Sequence, residues 1–210
     1  MTVRRAVCAL ALVALGACSA LPRPPEPKPV NCYFGDDRDL HSVRRVMVLP
    51  FDVSAGVDAE TFPIRATFLQ ELQKLGAFEI VPLPDRAEED KEIQKSVVRG
   101  RLSTDAVVSL CKRYQLDAVL MGTITAYRPY KPPHLGVKVQ MLSIHSASTV
   151  WAADGTWDAS ETASIDDLQH YSRSYAAKEE SMHGWELTLI SPTRFAAFVA
   201  HRIVGTWREH

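Results

Sequence analysis

The sequence predicts an α/β (α+β) fold: a mixed β-sheet of about five strands with helices packed on it, followed by two carboxy-terminal helices. Three observations carry this. Apolar runs and alternating segments interleave with helical periodicities in the order β-α-β-(α)-α-β-β-β-α-α. The last three strands follow one another without an intervening helix, as in a meander. Apolar side chains make up 46% and charged side chains 23% of the 210 residues, enough for one domain with a real core.

The chain begins with a segment of different character. Arg4 and Arg5 form a positive start, Ala6–Leu15 is almost wholly Ala, Val and Leu, and Leu15-Gly16-Ala17-Cys18 closes it. An apolar stretch of this length is too short to span a bilayer and reads as a signal segment. The closing tetrad resembles the lipobox of bacterial lipoprotein precursors. That resemblance implies cleavage between Ala17 and Cys18 and a covalent lipid on Cys18. With Ser19 and not Asp following the cysteine, it also implies sorting to the periplasmic face of the outer membrane. Residues 1–17 are then the signal peptide, and 18–35 the lipidated cysteine with its tether. Residues 36–210 form a single periplasmic α/β domain. The tether holds Leu21-Pro22-Arg23-Pro24-Pro25-Glu26-Pro27-Lys28-Pro29, whose prolines favour extended polyproline II and a semi-rigid spacer.

Loss of Arg4 and Arg5 takes the basic count from 24 to 22 against 25 acidic residues, a formal charge of −3 and no electrostatic footprint for nucleic acid. Four cysteines are present. Cys8 leaves with the signal and Cys18 is taken by lipid. Cys32 and Cys111 form a candidate disulfide in a compartment that permits one, with a buried free thiol at Cys111 as the alternative.

Asn31–Ser42 is polar, with Asp36, Asp37 and Asp39 close together, and reads as a solvated lead-in. Arg44–Phe51 is the first strand, apolar enough for burial on both faces. Asp58–Leu75 is a helix with Phe62, Ala66, Leu69, Leu72 and Leu75 as its stripe, Pro63 near its start and Gly76 as its stop. Phe78–Val81 is a second strand and 85–102 a charged stretch. A helix from Ser103 or Thr104 follows, with Ala106, Val107, Leu110, Cys111 and Tyr114 on its apolar face. Asp117–Tyr127 and Leu135–Ile144 are strands, joined by the proline-rich loop Pro129–His134. Thr149–Ala153 is the fifth strand and runs on to Trp157 unless Asp154-Gly155 turns the chain. Ser164–Asp167 has the shape of a capping box for the next helix, which Ile165, Leu168, Tyr171, Tyr175 and Met182 continue. Ser191-Pro192 reads as the N-cap and first residue of the last helix, striped by Phe195, Phe198, Val199 and Ile203.

Val46-Met47-Val48-Leu49-Pro50-Phe51, Leu72–Phe78 and Leu116–Ile124 occur in an order and spacing that resemble one family. It comprises the amino-terminal domain of TolB and the related periplasmic domains of CsgG, PelC and LpoB. The resemblance covers roughly residues 44–157. It implies a non-enzymatic envelope or secretion assembly component that meets other envelope proteins and can form a homo-oligomer. Two departures stand out. His145-Ser146-Ala147-Ser148 replaces the family's Asp with Thr-Gly, and there is no inserted strand pair of the kind a channel needs.

No G-x-S-x-G, H-E-x-x-H, Walker A or dinucleotide-binding pattern is present. No enzyme activity, cofactor or metal is therefore expected beyond the lipid on Cys18. Asp166 and His170 share a helix face without a third ligand, and Asp58 and His183 have nothing to bring them together. Tyr127, Tyr130 and His134, around the proline-rich loop, are the candidate partner-binding residues, since loops on a rigid sheet carry binding. Two alternatives come from other classes. An envelope hydrolase needs clustered titratable groups in a pocket. A cell-wall glycan-binding module needs Trp151 and Trp157 exposed as a stacking platform.

Overall fold

The computed structural model describes residues 27–81, 83, 104–176 and 184–208. The charged stretch 85–102, Met182, His183 and the lipobox lie outside the described residues.

The sheet holds β1 (Asn31–Phe34), β2 (Arg45–Val48), β3 (Asp52–Val53), β4 (Glu79–Val81), β5 (Ala118–Arg128), β6 (His134–Ser143) and β7 (Thr149–Asp158). Its order is β1-β7-β6-β5-β2-β4, with β3 also on β5. It is mixed as expected: β2, β3 and β4 are in the parallel part, and β5, β6, β7 and β1 pair antiparallel. The helices are α1 (Asp37–Ser42), α2 (Thr61–Leu75), α3 (Thr104–Tyr114), α4 (Thr162–Tyr171, continued by a π-helical turn to Ala176), α5 (Glu186–Ile190) and α6 (Pro192–Arg208).

Strand alternation divides the interior between the two sheet faces. Val46, Val48, Leu120, Val137, Val139 and Met141 enter the larger core, against Ile64, Phe68 and Leu72 of α2 and Phe195, Phe198, Val199 and Ile203 of α6. Met47, Leu49, Val119 and Leu142 face the other way, where α3 covers them with Leu110 and Cys111. β2 is thus buried on both faces, as its apolar run requires. At Gly122 the ring of Phe51 lies where a Cβ would sit, 2.5 Å away, so no larger residue fits without displacing that buried ring.

Several local signals act as read. Gly76 ends α2 in the left-handed region at φ 67°. Ser191 Oγ accepts the Arg194 N–H at 3.3 Å, and Pro192 opens α6. β7 continues through Gly155, because Trp157 lies over that glycine and leaves no room for a side chain there.

Other signals are overridden. The buried face of α2 is Ile64, Thr67, Phe68, Glu71 and Leu72, rotated from the expected stripe, and Phe62 is 74% exposed. The polar lead-in contains β1, an edge strand in the stretch assigned to the tether, and α1, whose N-cap Asp36 accepts the Arg38 N–H at 2.9 Å. Ser164 and Asp167 form no cap. α4 starts earlier, after Glu161, and both residues are buried inside it. Asp167 Oδ2 instead accepts the indole N–H of Trp157 at 2.9 Å and Arg202 Nε at 3.1 Å.

Candidate functional site

The expected binding residues sit at one end of the sheet. Tyr127 pairs with Leu135 and Arg128 with His134 as β5 turns into β6, so the loop between them crowns two paired strands. Tyr130, at its tip, is 81% exposed. Tyr127 is half-buried against the larger core, and its phenol is pushed up by burial and by the charges of Glu60 and Tyr130. The loop is braced from beneath. Arg128 Nε donates to the Pro132 carbonyl at 2.7 Å and its Nη2 meets Asp158 Oδ1 at 2.9 Å. The Ala159 N–H donates to the Pro133 carbonyl at 2.9 Å. Asp158 also takes the Ser160 N–H and Oγ–H at 2.8 and 2.7 Å, with His134 Nδ1 3.7 Å away. Burial opposes its ionisation, but the Ser160 bonds and the charges of His134 and Arg128 outweigh that and hold it below the usual range.

The same end receives Lys28, from the proline-rich segment, which the sequence did not foretell. Lys28 Nζ donates to the Thr156 carbonyl at 2.7 Å, to Glu161 Oε2 at 3.0 Å and to Ser164 Oγ at 3.4 Å. The Lys28 carbonyl accepts from Arg202 Nη2 at 2.9 Å. Thr156 and Asp158 lie on β7 beside Gly136 and His134 of β6. Lys28 is therefore fastened next to the proline-rich loop.

The remaining candidates separate. Cys32 and Cys111 are both free thiols, so the candidate bridge is not formed and the alternative holds. Cys32 is exposed on β1 at one sheet edge. Cys111 is buried on the inner face of α3 against β2 and β5, the nearer of which is three strands from β1 in the sheet order, and burial pushes its thiol up. Asp58 is exposed, and Asp166 and His170 lie half-buried on α4. No group of three or more His, Cys, Asp or Glu that could hold a metal occurs among the described residues. Trp151 and Trp157 are fully buried, with Trp151 Nε1 bonded to Thr206 Oγ1 at 3.2 Å, so they form no sugar-stacking platform.

Two polar assemblies were not legible in the sequence. Asp117, at the opposite end of the sheet, accepts the Arg44 and Arg45 N–H groups, both at 2.9 Å, and stands 3.4 Å from His145. Burial raises its pKa, but these bonds and His145 lower it further than burial lifts it. Buried Glu71 joins α2 to α6 through His201 Nδ1 at 3.1 Å and is capped by Lys74 Nζ at 2.6 Å. Tyr171 and Tyr175 lie against the His201 ring. Burial favours neutral Glu71, yet the bonds from His201 and Lys74 and their charges bring it below the usual value. Its folded pKa thus lies under its unfolded value of about 4.3, so its contribution is present above that value and is lost as pH falls through the folded pKa. The urea midpoint of the wild type should therefore fall as pH drops from about 5 toward 3. Glu71→Gln should be less stable at neutral pH and flatter over that range. Parallel pH profiles would show that Glu71 does not contribute this dependence.

No protein-family model matches the sequence, and no curated protein matches it. Among solved structures, the chain is similar to the PelC dodecamer from Paraburkholderia phytofirmans, with 15% identity and TM-score 0.44 over 66% of this chain and 89% of that chain. It is also similar to lipoprotein GNA1162 from Neisseria meningitidis, with 15% identity and TM-score 0.42 over 65% and 99%. A third is the LpoB C-terminal domain from Escherichia coli, with 12% identity and TM-score 0.41 over 54% and 81%.

Proposed function

We propose that this chain is a lipid-anchored accessory component of the cell envelope, held at the periplasmic face of the outer membrane by Cys18 and working by contact rather than catalysis. The observation that carries the reading is the junction at Lys28. A proline-rich spacer that follows the lipobox is fastened by four hydrogen bonds to the sheet end that bears the exposed Tyr130 loop. A spacer fastened in this way presents one chosen end of the domain to whatever lies near the anchor. The protein's envelope partners, a further copy of the chain included, then meet a domain of fixed orientation.

Crosslinking in intact cells tests this. The wild type should appear in a complex larger than the monomer. Asp58→Asn, Asp166→Asn, His170→Gln and His183→Gln should leave that complex and the cellular phenotype unchanged, because none of these side chains carries chemistry. A wild type that stays monomeric, with its phenotype abolished by one of these four changes, would establish the enzyme reading instead.

A further inference from the structure

We infer that the tip of the proline-rich loop, Tyr130 with Lys131, rests on the headgroup layer of the membrane that anchors the chain; this rests on the lipid-anchor reading above. The first argument is reach. Lys28 lies ten positions after Cys18. At roughly 3.1 Å per residue, even a fully extended polyproline spacer spans only about 30 Å, which keeps the domain within about its own diameter of the lipid.

The second argument is direction. β1 runs from Asn31, beside Asp154, to Phe34, beside Trp151, and so away from the loop end of β7. Going back from Asn31, the chain reaches Lys28 beside Thr156, and so approaches the end at which Asp158 lies and from which the loop projects. The His145–Ser148 turn is at the other end of the same strands.

The third argument is chemistry. A phenol ring with a polar tip suits the boundary between headgroups and acyl chains, and a neighbouring lysine suits anionic phosphates. Pro129, Pro132 and Pro133 have no N–H to strip of water. The charged groups beneath the tip are already matched, Arg128 with Asp158 and Lys28 with Glu161. Contact with lipid thus strands none of these charges. The Arg128 and Ala159 bonds hold the tip in shape before contact, so little ordering is left to be done there.

The test uses the full lipidated chain carrying Cys32→Ser, so that a new exposed thiol can be labelled while Cys111 stays buried. A polarity-sensitive fluorophore is placed at Lys131→Cys or, at the far end, at Ser146→Cys. The protein is bound to vesicles of phosphatidylethanolamine and phosphatidylglycerol. The label at 131 should shift to the blue and lose several-fold in acrylamide quenching on vesicles, while the label at 146 keeps its aqueous value. Adding Tyr130→Ala should restore quenching at 131 without reducing flotation, since the lipid still holds the chain. Equal quenching at both positions on vesicles with which the protein floats would overturn the inference and leave the anchor intact. Shielding at 131 that appears only with an envelope extract would overturn it in favour of a protein partner. A chain that fails to float would overturn the anchor reading and this inference with it.

Discussion

Asp167→Ala should cost about 3–5 kcal/mol of stability. The carboxylate is fully buried and accepts from Trp157 Nε1 at 2.9 Å and from Arg202 Nε at 3.1 Å. Its second oxygen also lies 3.1 Å from Arg202 Nε but accepts no hydrogen bond. Truncation leaves a guanidinium that is mostly out of water without its counter-charge, and a buried indole N–H without an acceptor. Removing one partner of such a pair is costly, whereas the intact pair adds little beyond a well-packed apolar substitute. Domains of this kind have about 5–15 kcal/mol in all, so the variant should stand near the edge of folding. Urea denaturation should show a lower midpoint with an unchanged slope. Asp167→Asn keeps an acceptor for the indole and should fall between the two. A loss for Asp167→Ala below about 1 kcal/mol would mean that the pair behaves like a surface ion pair. Arg202 also holds the Lys28 carbonyl, so the alanine variant should expose the spacer junction to protease earlier than the wild type.

Cys18→Ser should abolish membrane association altogether. Under the lipoprotein reading the thiol of Cys18 is the sole point of lipid attachment, and a serine hydroxyl does not replace a thiolate as nucleophile in that transfer. Two acyl chains on one residue give stable anchoring where a single chain gives marginal binding, so the effect is all-or-none. Growth with a radioactive fatty acid should label the wild type and leave the variant unlabelled, as uncut precursor or as released protein. Equal label in both would refute attachment at Cys18.

The succession of the main elements along the chain and several helix ends were legible because their signals are local. The apolar run Val46–Leu49, Gly76 after Leu75 and Ser191-Pro192 before Phe195 act through sterics and hydrogen bonds between near neighbours. The rotated face of α2 was not legible. Glu71 and Thr67 displace Phe62 from the interior because α6 supplies His201 to Glu71 from 130 positions away. The capping box at Ser164 failed in the same way. Asp167 has a better use in the interior, in a pair with Arg202 that is 35 residues distant.

The site divides along that line too. Tyr127, Tyr130 and His134 could be chosen as a loop cluster from the prolines between two strands, and Cys18 from the segment around it. By itself the sequence determined the class of fold, several of the places where its elements start and stop, and a lipobox-like start followed by a proline-rich segment. Each of these rests on residues a few positions apart. Only the tertiary structure decided that Cys32 and Cys111 stay apart, that both central tryptophans are interior, and that the spacer ends beside the Tyr130 loop. Those outcomes depend on strand register and on side chains such as Lys28 and Arg202, 174 residues apart, whose meeting no local periodicity encodes.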